Sequence, residues 1–263
     1  MTGPDYPGLL ADLAAEEAAL DAVVANLTEL RWAIPTPAAG WDVRDSVAHL
    51  AYSEDLARMA MKDPDEFGRR RQALVDAPDP GPLLVGAGRS MTGPAVLAWW
   101  REARADALEL LAARGARDRL PWMEGPMSAM SFATARLMET WAHGQDVRDA
   151  LGGEPAVSGR LRHIADLGVR TRPFSYAARG LSVPDTDVRV ELVGPDLDRW
   201  VWGPEGVEDV VHGRALDFCL VVTQRLHPAD TTLDVQGHAA QEWMGIAQAF
   251  AGSATEQRAP RQR

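Results

Sequence analysis

Residues 138–151, METWAHGQDVRDAL, form the stretch on which the predicted fold depends. The stretch carries Glu139 and His143 four residues apart, and no helix breaker occurs before Gly152. On a helix, side chains at this spacing lie one above the other on the same face. A carboxylate and an imidazole so placed can hold one metal ion together, although many helices carry the same pair as a solvated surface pair.

The neighbours of this pair favour burial. Met138 and Trp141 are large apolar side chains directly beside Glu139, so they indicate that the carboxylate is partly buried. A buried carboxylate needs a partner, because its charge has lost the stabilisation that water provides. The stretch therefore predicts a helix with a candidate metal-binding pair in its middle.

Composition limits the classes of protein that the chain can be. It has 263 residues, 46% hydrophobic residues and a net charge of −11, which allows one large domain or two smaller ones. No basic cluster predicts a nucleic-acid partner, and neither a membrane span nor a signal peptide is evident. The single cysteine, Cys219, lies in an apolar run and is predicted to be buried. We therefore expect a cytoplasmic protein with a small-molecule partner, as a monomer or homodimer.

The first half of the chain predicts a bundle of four main helices. Leucines and valines recur at helical spacing over residues 6–33, and further helices are predicted at 42–61, at 95–114 and around Glu139. Asp42 and Asp45 have the spacing of a helix cap, and His49 follows two turns into that helix. A histidine there is more often a core residue than a ligand. Residues 62–94, rich in Pro and Gly, predict loops around short helical pieces.

The second half changes from helical to strand periodicity. VRVELVG and RWVWG alternate as strands do, ALDFCLVVTQRL and AAQEWMGIAQAF are predicted helices, and TTLDVQG is another strand candidate. The prediction is an α+β protein of two domains: a helical bundle at 1–152 and a small α+β domain at 185–252. A helical connection at 153–184 would join them, and residues 253–263 would be a disordered tail.

Two segments carry a family resemblance. WDVRDSVAHLA and ARLMETWAHGQDVRDALG resemble the metal-binding half of the DinB/YfiT-like four-helix-bundle proteins, and in particular the actinobacterial relatives of mycothiol-dependent maleylpyruvate isomerase. RVELVGPDLDRWVWGPEG and the sequence after it resemble the C-terminal domain of the same group, which has a sterol-carrier-protein-like fold.

The resemblance implies a set of site residues. It implies a metal triad of His49, Glu139 and His143, with Zn²⁺ as the favoured ion and Fe²⁺ or Ni²⁺ as alternatives. It also implies a functional arginine at Arg225, for which capping of the preceding helix is the alternative role. Asp146 and Asp45 are candidates to orient the ligand imidazoles, against the simpler interpretations of a surface charge and a cap residue.

The function expected from this resemblance is metal-dependent activation of a low-molecular-weight thiol, mycothiol. The activated thiol would isomerise, or be transferred to, an electrophilic small molecule. One alternative is thiol-independent metal chemistry, such as hydrolysis, cyclisation or rearrangement in a biosynthetic pathway. Another is a non-catalytic protein that binds a small molecule or lipid in its C-terminal domain.

Overall fold

The chain forms two compact units that divide between Ala156 and Val157. The structure, a computed structural model, describes residues 5–78 and 80–260. The first unit is helical apart from one short hairpin, and the second combines a sheet with helices. The predicted α+β class with a helical N-terminal part is confirmed.

The first unit consists of helices α1 to α7 and the hairpin strands β1 and β2. Their bounds are α1 (Tyr6–Val24), α2 (Glu29–Trp32), α3 (Val43–Lys62), α4 (Pro64–Asp76), α5 (Gly81–Arg89), α6 (Gly93–Ala112), β1 (Arg119–Leu120), β2 (Met127–Ser128) and α7 (Ala129–Leu151). Helix α3 packs against α6 and α7, and α1 packs against both α6 and α7. The bundle core therefore lies between α1, α3, α6 and α7.

The first helix ends earlier than its leucine pattern predicts. A single helix over residues 6–33 is wrong, since α1 ends at Val24 and the short α2 begins after Thr28. Thr28 has extended backbone angles, and its carbonyl accepts the backbone hydrogen bonds of Arg31 and Trp32. This turn directs Trp32 into the core, where it is 1% exposed.

The Pro-rich region contains more helix than its composition indicates. Pro64 and Pro82 lie in the first turns of α4 and α5, where a proline costs no intrahelical hydrogen bond. Helix α5 packs closely on α3, so that a Cβ atom at Gly88 would lie 2.3 Å from the Cβ of Ala48. A glycine is thus required at this crossing.

The second unit holds a four-stranded sheet. Its elements are α8 (Leu161–Arg170), α9 (Arg172–Ala177), β3 (Val188–Val193), β4 (Arg199–Trp202), β5 (Asp209–Arg214), α10 (Ala215–Val222), β6 (Asp234–Gln236) and α11 (His238–Ile246). The strand order is β4-β3-β5-β6, with β3 and β5 parallel and the outer pairs antiparallel. Val190 pairs with Trp202 on one side and with Val211 on the other.

The strand predictions for VRVELVG, RWVWG and TTLDVQG are confirmed by β3, β4 and β6. The segment predicted to connect two domains forms α8 and α9, which belong to the second unit. The tail predicted to be disordered, residues 253–263, has no helix or strand over 253–260, and residues 261–263 lie outside the described part of the chain. Thr255 and Gln257 nevertheless donate hydrogen bonds to Gln224 and Ala247, at 2.6 and 3.2 Å.

Cys219 lies on α10 and is fully buried, as predicted. Burial raises the pKa of its thiol, so the group stays protonated and unreactive at neutral pH. Among the described residues, every helix is too short or too polar to cross a membrane.

Candidate metal centre

Helices α3 and α7 supply the residues of the candidate site, and local sequence fixes where each helix begins. Asp42 and Asp45 form a reciprocal capping box at the start of α3, as the sequence predicts. Ser128 caps α7 through the backbone nitrogen of Ser131 at 3.1 Å, and Gly152 ends the helix with a left-handed φ of 69°. The two helices pack directly on each other, which brings His49 on α3 beside α7.

The three predicted ligands come together. One ligand atom from each of His49, Glu139 and His143 lies within 4.8 Å of the other two. The Oε2 atom of Glu139 lies 3.5 Å from Nε2 of His143 and 3.8 Å from Nε2 of His49. The side chains of Glu139, His143 and His49 are 19%, 11% and 13% exposed, so the cluster is largely shielded from solvent.

These separations fit a shared metal ion better than direct hydrogen bonds. Both distances exceed the 2.7–3.2 Å range typical of an N–H···O hydrogen bond. Zinc ligands at about 2.0–2.1 Å in tetrahedral geometry lie roughly 3.3–3.5 Å apart. In addition, Nδ1 of His49 is buried and has no hydrogen-bond partner among the described residues. The donor set therefore fits a divalent metal ion, with two nitrogens and one oxygen facing a common point.

Electrostatics place Glu139 and His49 in the protonation states that metal binding needs. Burial would raise the pKa of Glu139, but the nearby imidazoles of His143 and His49, together with the charge of Arg136, outweigh burial and hold the pKa well below its usual value. Burial lowers the pKa of His49 to about 4, against the opposing effect of Glu139. At neutral pH the carboxylate is charged and the His49 imidazole is neutral, the forms that ligate metals.

Asp146 supports the site from behind His143. Its carboxylate is fully buried, and Oδ2 lies 3.4 Å from Nδ1 of His143. The interpretation of Asp146 as a surface charge is therefore wrong, and the arrangement is that of a carboxylate orienting a ligand imidazole. Asp45 instead caps α3 and pairs with Arg89 at 2.9 and 3.0 Å, which agrees with its interpretation as a cap residue.

Trp41 is a site residue that sequence reasoning missed. Its ring stacks on His143 with centroids 5.6 Å apart and tilts against His49 at 5.1 Å. Trp41 also lines a surface pocket of about 520 Å³ whose wall includes Asp42, Arg44 and Arg89. Its position directly before the cap of the helix that carries His49 is the only sequence signal for this role.

Sequence reasoning also missed several buried charged residues, because charges on a helix usually indicate a solvated face. Arg136 and Glu54 are 4% and 2% exposed, and Glu17 is 4% exposed. Burial raises the pKa of Glu54 to about 7, while Arg136 opposes this effect. Arg136 also acts electrostatically on Glu139 and His49, so it lies beside the candidate metal centre.

Arg225 lies in the second unit, beyond the end of α10. Its Nη1 atom donates to the carbonyl of Thr223, the residue that caps this helix, at 2.7 Å. This contact agrees with the alternative role of Arg225 at a helix C-terminus. Its functional role stays a prediction.

The fold and the site define a two-unit α+β protein whose helical bundle carries a cluster of two histidines and one glutamate. Residues 13–148 match the model of the mycothiol maleylpyruvate isomerase N-terminal domain. The chain belongs to this family.

Similar proteins span almost the whole chain. Uncharacterized proteins from two strains of Mycobacterium tuberculosis, CDC 1551 / Oshkosh and H37Rv, are each 46% identical to it over 252 residues. These matches cover 94% of this chain and 96% of each relative. The crystal structure of the mycothiol-dependent maleylpyruvate isomerase has a TM-score of 0.59 and 15% identity, covering 86% of this chain and 92% of that one. A histidine-to-alanine mutant of that enzyme matches equally well.

Proposed function

We propose that this protein binds a divalent metal ion, Zn²⁺ in the first place, through His49, Glu139 and His143. The bound metal ion would activate a low-molecular-weight thiol, mycothiol, for reaction with an electrophilic small molecule. The observation that carries the proposal is the convergence of the three ligand atoms within 4.8 Å on two packed helices. Membership of a family named after a mycothiol-dependent isomerase supports the choice of thiol.

Three protein ligands leave coordination positions open, and a bound metal ion lowers the pKa of a thiol or water molecule that reaches such a position. The chain's own residues prepare this chemistry. Glu139 contributes one negative charge, and Asp146 orients the His143 ring through Nδ1 so that Nε2 faces the centre. Trp41 packs on both imidazoles and excludes water from that side.

The reaction itself is an isomerisation or an S-transfer. In the first, the thiolate sulfur adds to a conjugated double bond, the substrate rotates about the resulting single bond, and the carbon–sulfur bond breaks again. In the second, the sulfur displaces a leaving group and remains on the product. Neither reaction requires a protein nucleophile, in agreement with the burial of Cys219.

Calorimetric titration of mycothiol into zinc-loaded and metal-free protein tests the thiol part of this proposal. We expect binding at micromolar to low millimolar affinity in the zinc-loaded form and at least about tenfold weaker binding without metal. Equal binding by both forms would contradict a role of the metal in thiol recognition. Absence of binding by a fully zinc-loaded sample would favour thiol-independent metal chemistry, and the substrate search would turn to hydrolysis or rearrangement.

Asp146→Asn should weaken zinc binding by about 10–100-fold, the usual effect of losing a carboxylate behind a ligand histidine. The amide keeps the size of the side chain but removes the charge that stabilises the His143 ring 3.4 Å away. Competition with a fluorescent zinc chelator measures the change. Asp149→Asn, an exposed carboxylate on the same helix, is the matched control. Equal zinc affinity of wild type and Asp146→Asn would show that Asp146 has only a structural role.

In the proposed reaction, Arg225 holds a substrate carboxylate through a forked ion pair. Arg225→Ala should then raise KM or lower turnover while zinc content stays at the wild-type value. Once a substrate is known, steady-state kinetics with parallel metal analysis make this measurement. Unchanged kinetics would leave Arg225 as the cap of α10.

A further inference from the structure

Arg136 is a buried cation that forms no ion pair with any residue that the structure describes. Its side chain is on α7, one turn before Glu139, and is 4% exposed. Nε and Nη1 are buried and have no hydrogen-bond partner among the described residues. In that part of the chain, no carboxylate lies within the 4.0 Å that defines an ion pair with this guanidinium. Such a buried charge is costly unless something pairs with it.

Aromatic rings support the guanidinium but leave its donors free. The Arg136 Cζ atom lies 4.6 Å above the Trp122 ring and 5.9 Å from the Phe132 ring. Trp122 is itself fixed between Phe67 and Phe132, at centroid distances of 5.8 and 4.8 Å. A cation–π contact attracts the guanidinium to one ring face but satisfies no N–H group at its edge. The aromatic residues thus hold Arg136 in place while its hydrogen-bonding capacity remains available.

Other buried polar groups of the bundle also lack hydrogen-bond partners. Oε1 of Glu54, Oε1 of Glu17 and Oγ1 of Thr140 are buried and lack partners among the described residues. Arg136 and Glu54 influence each other electrostatically, yet they form no ion pair. Helices α1, α3 and α7 therefore present unsatisfied donors and acceptors to the interior of the bundle. Buried polar groups in native proteins are rarely left unsatisfied, so this pattern indicates a bound polar ligand.

We propose that Arg136 is an anion-binding residue, and that it takes a carboxylate group of the molecule that reacts at the metal centre. A guanidinium binds a carboxylate through two parallel N–H···O hydrogen bonds. Its place on α7, about 4.5 Å along the helix axis from Glu139, brings that carboxylate next to the reacting part of the same small molecule. This inference rests on the proposed metal site, and it adds a recognition residue within the bundle itself.

Maleate, a stable unsaturated dicarboxylate, is the probe for this proposal, and its neutral diamide is the matched probe without charge. Both are titrated by calorimetry and NMR into zinc-loaded and metal-free full-length protein. The variants are Arg136→Met and Arg136→Lys, with Arg69→Met as control, because Arg69 is an exposed arginine paired with Glu66. Zinc content is measured on every sample.

We expect wild type and Arg69→Met to bind maleate in preference to the diamide. Arg136→Met should bind it at least about tenfold more weakly, and Arg136→Lys should fall between them, since lysine keeps the charge but loses the fork. The unfolding midpoint of Arg136→Met should be equal to or above that of wild type, because an unpartnered buried charge is removed. A purely structural arginine would instead lower the midpoint.

Two results would overturn the proposal: maleate affinity of Arg136→Met within about twofold of wild type, or no maleate binding by wild type at millimolar concentration. If wild-type protein takes up no zinc, the proposed metal function is wrong, whatever the result for Arg136. The metal-free titrations still test Arg136 in that case, so the two failures can be told apart.

Discussion

His49→Ala should bind zinc more than about 100-fold more weakly than wild type, since outer-shell changes alone cost 10–100-fold. Two of the proposed ligands, Glu139 and His143, lie on α7, whereas His49 is the single proposed ligand from α3. Its removal therefore opens the metal centre on one whole side. Metal analysis by mass spectrometry and chelator competition would show one equivalent of zinc in wild type and almost none in the variant.

The same substitution should leave the fold intact. Nδ1 of His49 has no partner among the described residues, so truncation breaks no hydrogen bond there, and alanine is a good helix former. His143 is a less clear target, because it also faces the buried Asp146. His212→Ala, an exposed histidine on β5, controls for non-specific zinc binding. One equivalent of tightly bound zinc in His49→Ala would contradict the proposed triad.

Part of the candidate metal centre could be predicted from the sequence, because the spacing of residues along a helix determines which side chains share a face. Glu139 and His143 are four residues apart, so any regular helix puts them on one face. His49 is 90 residues away from Glu139 along the chain. This separation does not indicate whether His49 lies near Glu139 and His143 in the folded protein. His49 was predicted from the resemblance, and the packing of α3 on α7 brings it there.

The positions of the strands also follow from local sequence patterns, whereas the order of the strands in the sheet does not. Alternation at Val188, Val190 and Leu192 reflects one buried face, as the structure has it. The parallel pairing of β3 with β5 depends on contacts between distant segments, about which alternation says nothing.

Buried charges were the main failure of sequence reasoning. The sequence carries no signal for the burial of Arg136, Glu54 and Glu17, since charged residues are rarely buried. The structure buries all three inside the bundle. A protein that only needed a stable bundle would have apolar side chains there, since replacing buried charges by apolar residues is often stabilising. The burial of Arg136 among them agrees with the anion-binding role proposed for this residue.

Glu17→Gln should raise the free energy of unfolding, and the size of this gain should depend on pH. Burial and, to a smaller extent, the nearby Glu54 raise the pKa of Glu17 from 4.5 to about 9, against the opposing effect of Arg104. The folded protein thus keeps the carboxyl protonated where the unfolded chain has lost the proton. Stability from this group is fully present below pH 4.5 and is lost progressively as pH rises towards 9.

Glutamine has nearly the shape of the protonated acid and does not titrate, so Glu17→Gln should avoid this loss. We expect a free energy of unfolding a few kcal/mol above wild type near pH 8 and close to wild type near pH 4, since one pKa unit corresponds to about 1.4 kcal/mol. Denaturant unfolding of metal-free protein at both pH values measures the difference. Glu109→Gln, an exposed carboxyl on α6, controls for the change in net charge.

The dependence on pH separates this explanation from a simple packing effect. A better-packed glutamine would stabilise the bundle equally at both pH values, and a lost structural contact would destabilise it at both. Either result would contradict a protonated Glu17 in the folded state. A gain confined to high pH would show that the bundle holds a carboxyl group at a cost in stability, as expected of a group kept for binding and not for folding.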